Sequence, residues 1–302
     1  MSVKHFEPYK RFNYLNLLLL VLFAVIIARS AQATHFDLSA FTDSRNLTGM
    51  GKFISGLWPM ELSSDFLKDI GKLILETIEI SLVGTLLAVI FAVPLTLAAT
   101  RVRGEEFNRQ NRGTFAWLTR WCGYYLSRLV LNFFRGIPEI LWALIFVVAV
   151  GLGPFPGVLA LAAHSTGILG KLYSEILESV DQRLVETVRA TGATELAVLV
   201  FARIPLSLPV LVSYTLFRWE CNMRAATVLG LVGAGGIGTQ LTLSMQLFAY
   251  NEVSTLVVSI LLLVILVDLV GQFVRARILE HSVSCSTQER KLTSELDNPV
   301  TK

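Results

Sequence analysis

Three groups of residues in this 302-residue chain have the types and spacing to do chemistry. The first is a set of polar groups inside the apolar stretch 208–232: Arg218, Glu220, Asn222 and Arg224. A charge in bilayer hydrocarbon costs at least about 2.5–3.5 kcal/mol at a helix centre, so such groups are paired or functional. Glu220 and Arg224 are four apart and can meet on one helix face. Arg218 and Asn222 line a second, nearby face. Two readings stay open: Glu220 and Arg224 neutralise each other at a packing contact, or Arg218 or Arg224 attracts an oxyanion, for which the planar guanidinium fork is suited. The second group is Glu139, which with Arg135 flanks Pro138, and His164, followed by Ser165 and Thr166. Glu139 reads as an acid favoured by a helix N-terminus or as a pathway residue. His164 reads as a buried, hydrogen-bonded ring or as part of the same pathway. The third group is a charged stretch at 183–209, "RLVETVRATGATELAVLVFARIPLSLP", set between apolar segments.

Several chemistries are excluded by what the residues do not form. Cys122, Cys221 and Cys285 show no metal or redox spacing, and His5, His35, His164 and His281 are scattered. No Ser/His, paired-Asp or His-Glu-x-x-His arrangement points to an intramembrane enzyme. "GAGGIG" at 233–238 satisfies the dinucleotide fingerprint G-x-G-x-x-G, but no strand precedes it and no βαβ unit follows. Gly233, Gly235, Gly236 and Gly238 read instead as a close approach or a break at the end of a span, a gate, a hinge or a packing turn. No Walker G-x-x-x-x-G-K-[ST] occurs, so the chain does not bind ATP that way.

The elements that must hold these groups are membrane helices. The chain is 53% hydrophobic and 16% charged, against about 25% charged in soluble proteins. Uncharged runs reach the roughly 20 residues needed to cross a bilayer. Six spans are expected, near 14–31, 75–99, 137–153, 156–173, 208–232 and 252–274. A net charge of only +3 does not suggest nucleic acid; where the basic residues lie sets orientation. Lys4, Lys10 and Arg11, the arginines from Arg101 to Arg135, and Arg275, Arg277, Arg290 and Lys291 all fall on one side of six alternating spans. Both termini are therefore expected in the cytoplasm. The expected organisation is a cytoplasmic N-terminus (1–13), a first transmembrane helix (14–31), a periplasmic segment (32–74), a core (75–277) with a cytoplasmic hairpin at 174–207, and a cytoplasmic tail (278–302). The 104–127 segment reads as a polar loop and 279–302 as a disordered tail. Asp268 reads as a packing or interfacial charge. A basic start, an apolar run and "AQA" at 31–33 also fit a cleaved signal peptide, with a retained anchor the favoured reading.

Within the hairpin, Ile176, Val180, Leu184 and Val188 repeat at helical spacing. Gly192 ends that helix. Thr194 and Glu195 start a second one with Leu196, Leu199 and Val200 as its apolar stripe, and Ile204-Pro205 ends it. A face of this kind suits docking in a partner's groove. The spacing of Glu186, Gly192 six residues later and Pro205 thirteen after that resembles the EAA loop of ABC-importer permeases. Thr187 and Val188 replace its two alanines, Ala202 its isoleucine and Ile204 its leucine. "RGIPEILWALIFVVAVGLGPFPGVLALAAHSTGILGKLYSE" at 135–175, "LFRWECNMRAATVLGLVGAGGIG" at 216–238 and "LETIEISLVGT" at 75–85 narrow the resemblance to phosphonate-importer permeases, over about 62–277.

That resemblance implies an all-α integral membrane protein with the type I, MetI-like permease fold. It implies a translocation subunit, not an enzyme, of an importer for phosphonates or a related phosphorus oxyanion (phosphite, phosphate) in a bacterial inner membrane. It makes the hairpin a coupling helix whose Glu186, Arg189, Ala190, Gly192, Ala193 and Pro205 meet an ABC ATPase. It implies a pair of ATPase subunits, a second permease copy in a homodimer, and a periplasmic substrate-binding protein, with no cofactor and no metal. Glu139, His164, Arg218, Glu220, Asn222 and Arg224 are then the expected substrate pathway. The alternatives are an ABC importer of another small solute and an ion-coupled secondary transporter.

Overall fold

The computed structural model describes residues 14–34, 43–100 and 114–296, and all its regular elements there are helical. The basic residues Lys4, Lys10, Arg11 and Arg101 to Arg112, and the end of the tail, lie outside the described residues. The chain divides into two units, 1–56 and 57–302.

The first unit holds α1 (Tyr14–Ala33) and α2 (Ser44–Gly56). α1 matches the expected first span and buries none of its residues. α2 falls in the segment expected to be periplasmic and is amphipathic. At 100° per residue Leu47, Met50 and Ile54 share one face, opposite Arg45 and Lys52.

The second unit begins with α3 (Ser64–Ala99), eleven residues earlier than the span expected from 75. Its added turns carry Asp65–Lys68 and Asp69–Lys72 ion pairs on their exposed side, and Ile70 packs on Ile237 and Leu256. The stretch expected as a polar loop is largely α4 (Thr114–Gly136). Its Leu131 is buried, and its Arg128 bonds the Ala99 carbonyl and Glu178. The expected third span proves to be a bent pair. α5 (Glu139–Val150) has only 12 residues and meets α4 at 88°, because Pro138 supplies no amide to continue the ladder across the junction. Twelve residues span about 18 Å, too short to cross alone.

α6 (Pro154–Ser179) is the most enclosed element, with buried positions along most of its length. α3 packs on it through small residues. A Cβ on Gly84 would lie 2.9 Å from the Leu161 Cβ, and Ala88 and Ala92 pack on Leu169 and Tyr173. Gly167 admits the α4 backbone: a Cβ there would lie 2.4 Å from the Arg135 nitrogen. α9 (Ile204–Leu229) and α11 (Tyr250–Leu296) complete the bundle, with α10 (Ile237–Gln246) between them. α11 runs unbroken to Leu296, so the tail expected to be disordered is helical that far.

Among the described residues four stretches are long and apolar enough to cross a membrane: Tyr14–Ala33, Ser64–Ala99, Leu196–Gln246 and Tyr250–Ile278. The bent pair makes a fifth. α6 is long enough, but its middle is polar.

Close packing at Gly167 predicts that Gly167→Ala costs about 1–3 kcal/mol by overpacking. Gly71→Ala, where nothing lies within 4 Å, is the control. Melting temperatures in detergent should fall for the first and hold or rise for the second.

Candidate functional site

The hairpin is a small folded body. α6 ends at Ser179 and Val180 is extended, so 174–190 is not one helix as its apolar spacing suggested. Asp181 caps α7 (Gln182–Ala190), accepting from the Arg183 amide at 3.0 Å. Gly192 turns the chain at φ +80°, as its position after α7 required. α8 (Glu195–Val198) passes into a π turn at Leu199–Arg203 and then into α9. Pro205 therefore does not end a helix. The π turn bonds the Ile204 amide to the Leu199 carbonyl, five residues back, and Pro205 sits in the first turn of α9, where its missing amide costs little.

Val185, Val198 and Ala202 are buried together and pack on Val180, Val188 and Ala193. The expected stripe of Leu196, Leu199 and Val200 is not the packed one, because the wide π turn shifts the inward face. Leu196 is 73% exposed and Leu184 48%. Glu186, Ala190, Gly192 and Pro205 are also exposed, Arg189 is half-buried, and Ala193 belongs to the rim of the core. Arg203 is buried and donates to the Leu177 carbonyl at 3.3 Å, tying the hairpin to the end of α6.

A second site lies in the bundle, where α3, α5, α6 and α9 converge. Asn222 is fully buried. It accepts from the Ser165 hydroxyl at 2.9 Å and donates to Thr85 Oγ1 at 2.8 Å. Arg218 Nε donates to Ser165 Oγ at 3.0 Å. His164 Nδ1 lies 2.9 Å from the Ile137 carbonyl oxygen, and its Nε2 lies 3.1 Å from Glu139 Oε2. Glu139 and Arg218 act on each other electrostatically. The terminal nitrogens of Arg218 make no bond to the described residues.

Glu220 and Arg224 do not meet. They lie on the side of α9 opposite Arg218 and Asn222 and pair instead across to α11. Arg275 reaches Glu220 at 3.0 Å, and Arg224 reaches Asp268 at 3.3 Å. A Cβ on Gly271 would lie 1.8 Å from Glu220 Oε1, so Gly271 makes room for that carboxylate. Asp268, expected as a packing or interfacial charge, is the partner of Arg224 in a partly exposed contact.

The glycine-rich segment is a turn tied to α3. Gly233, Gly235 and Gly236 have φ of +84°, +82° and +74°. Gly238 approaches α9 so closely that a Cβ would lie 2.0 Å from the Thr227 carbonyl oxygen. Glu76 accepts from the Gly236 amide at 3.1 Å and Thr77 from the Ile237 amide at 3.0 Å, capping α10. The turn borders an open cleft of about 660 Å³, lined by Glu76, Leu152, Gly233, Gly235, Thr239 and Gln246 among others.

Residues 115–281 match the model of the family described as "Binding-protein-dependent transport system inner membrane component". The chain belongs to this family. It is 40% identical over 195 residues to a phosphite transport system permease protein of Stutzerimonas stutzeri, covering 65% of this chain and 66% of that one. It is 36% identical over 236 residues to a putative phosphite transport system permease protein of the same organism, covering 78% and 77%. Its fold matches an inward-facing MetNI methionine ABC transporter structure with a TM-score of 0.58 at 21% identity, over 72% of this chain and 99% of that one. The protein is thus a multi-pass ABC-importer permease of MetI-like fold, a translocation component and not an enzyme.

In this permease the structure brings together four of the six residues singled out in the membrane: Glu139, His164, Arg218 and Asn222. It places Glu220 and Arg224 in a separate contact with α11. Sequence reasoning missed Thr85, Glu76, Thr77 and Arg275 as partners. One signal was present: Thr77, Ser81 and Thr85 recur every fourth residue on an otherwise apolar helix, marking a polar stripe turned inward.

The buried Glu220–Arg275 contact predicts an asymmetric response. Arg275→Ala strands a carboxylate whose side chain is 3% exposed, which costs about 3–5 kcal/mol. Adding Glu220→Gln should recover most of it. Thermal unfolding of the permease in detergent, single against double variant, reads the difference.

Proposed function

We propose that this permease is the membrane subunit of an ATP-driven importer moving phosphonates or a related phosphorus oxyanion, phosphite or phosphate, into the cytoplasm of a bacterium. The observation that carries the reading is the unbroken helical path from the hairpin into α9. The hairpin's own core makes α7, α8 and the π turn one body. That body continues through Ile204 into the helix that holds Arg218 and Asn222. A push on the hairpin therefore reaches Arg218 through one rod. This suits a coupling element worked by an ABC ATPase, with exposed Leu184, Glu186 and Leu196 in its groove.

Six crossings are assigned to α1, α3, the α4–α5 pair, α6, α9 and α11, with both termini in the cytoplasm. The core runs from 75 to 277. One hairpin per chain and ATPases that act in pairs call for a permease homodimer on a two-fold axis. Closure of the ATPase pair draws the two hairpins together and opens the pathway outward to a periplasmic binding protein; hydrolysis resets it. The glycine turn and its cleft form the outer gate. Arg218, backed by Ser165 and Asn222, is the oxyanion contact. Arg224, engaged by Asp268, is not. Relatives named for phosphite transport support the substrate class.

Leu196→Glu tests the coupling role on the permease purified with its ATPase. The expected result is loss of the ATPase subunit and of uptake with an unchanged melting temperature. Retention of both would sink the assignment.

A further inference from the structure

We propose that α2 is an interfacial helix: it lies in the plane of the bilayer surface, with its apolar face in the outer leaflet and its basic face among the phospholipid headgroups. The inference rests on the assignment of α1 and α3 as membrane crossings.

Residue spacing gives α2 two opposed faces. At 100° per residue Leu47, Met50 and Ile54 fall within about 60° of arc, and Arg45 and Lys52 lie on the opposite side. The helix contains no acid; Asp43 precedes it and accepts from the Arg45 amide at 3.2 Å. The apolar face is left open. α2 buries none of its residues, and Leu47, Met50 and Ile54 are 51%, 46% and 61% exposed. A Cβ on Gly49 or Gly51 would meet nothing within 4 Å, so the flanks are open too. The hydroxyls along the helix turn back on it. Thr48 Oγ1 donates to the Ser44 carbonyl at 2.7 Å, and Ser55 Oγ to the Lys52 carbonyl at 3.1 Å.

Connectivity decides what covers the apolar face. α2 is joined to α1 through residues 34–43 and to α3 through residues 57–63. Fully extended, these links reach at most about 35 Å and 25 Å. The outer turns of α3, with their exposed Asp65–Lys68 and Asp69–Lys72 pairs, stand above the hydrocarbon. Over 64–74 they rise about 16 Å. The link at 57–63 covers that distance, so α2 is held within reach of the bilayer surface. A stable protein interface takes roughly 20–30 residues a side, far more than three side chains on two turns. A surface to which the helix is already tethered needs no such area, because the link removes most of the cost of association. The dimensions also fit. A helix with its side chains is about 10–12 Å across, and the headgroup layer is about 5–7 Å deep on each side of the hydrocarbon. With the axis at the boundary, Leu47, Met50 and Ile54 meet acyl chains while Arg45 and Lys52 reach the phosphates.

The test uses the intact permease–ATPase complex in bilayers of phosphatidylethanolamine and phosphatidylglycerol, with p-benzoylphenylalanine at one position at a time. Under light this side chain bonds to a neighbouring C–H group, and in water it is left unchanged. Mass spectrometry should find phospholipid adducts with the probe in place of Leu47, Met50 or Ile54, and their loss with it in place of Arg45 or Lys52. Adducts to protein from the apolar positions overturn the proposal, whether to a second copy, to the same chain or to an added binding protein. An unreacted probe there also overturns it, by placing the face in water. Phospholipid adducts in equal yield at all five positions overturn the orientation. The same probe in place of Leu20, midway along α1, reports on the crossing: without a phospholipid adduct there, the assignment on which the inference rests fails.

Discussion

The bundle is organised around one amide. Asn222 sits where water does not reach, and both ends of its side chain are bonded, to Ser165 on α6 and to Thr85 on α3. In hydrocarbon no solvent can take over a lost partner, so each polar group must be answered by protein. The Ser165 hydroxyl has one hydrogen, given to Asn222, and accepts from Arg218 Nε. Thr85 passes its own hydrogen to the Ser81 carbonyl. Each residue in this chain of bonds has a protein partner. The network fixes the rotation of α9 against α3 and α6, and that rotation turns Arg218 toward Glu139 and leaves Glu220 and Arg224 for α11.

Such a network can exist only because the helices come close. Gly84, Ala88 and Ala92 on α3, and Gly167 and Gly170 on α6, present almost no side chain to their neighbours. Small residues allow backbone approach and short polar bridges where a larger pair would hold the axes apart. The same device recurs at Gly271, which yields its space to the Glu220 carboxylate, and at Gly238, which presses against the end of α9. Polar residues inside the membrane and glycines opposite them are two halves of one arrangement.

Much of the fold was legible because membranes impose length and composition. α1, α3, α9 and α11 stand out as apolar runs, and Gly192 announced its turn. The errors have physical causes. α4 was hidden because its apolar and charged residues alternate around a helix that docks through Arg128, and windowed composition averages the two. The start of α3 was hidden because its outer turns carry paired charges. The π turn cannot be read from residue types, since only its hydrogen-bond spacing sets it apart from an α turn, and it moved the packed face from Leu196 and Val200 to Val198 and Ala202. At the site, residue types marked Arg218 and Asn222, and the structure joins the two through Ser165. The partner of Glu220 was misjudged because proximity along one helix gave way to a closer cation, Arg275, brought by another. Spacing within a helix nominates pairs, and packing between helices decides among them.

The π turn at Leu199–Arg203 also makes the chain's length part of its design. A π turn holds one residue more than an α turn, so the hairpin and α9 are out of phase by about 100° relative to a regular helix. That offset lets Val198 and Ala202 face the hairpin core while Arg218 and Asn222 face the bundle. The segment is therefore tuned in residue number as well as residue type. Its sequence can drift within apolar limits, but the register between the handle and the binding face is kept only at this count.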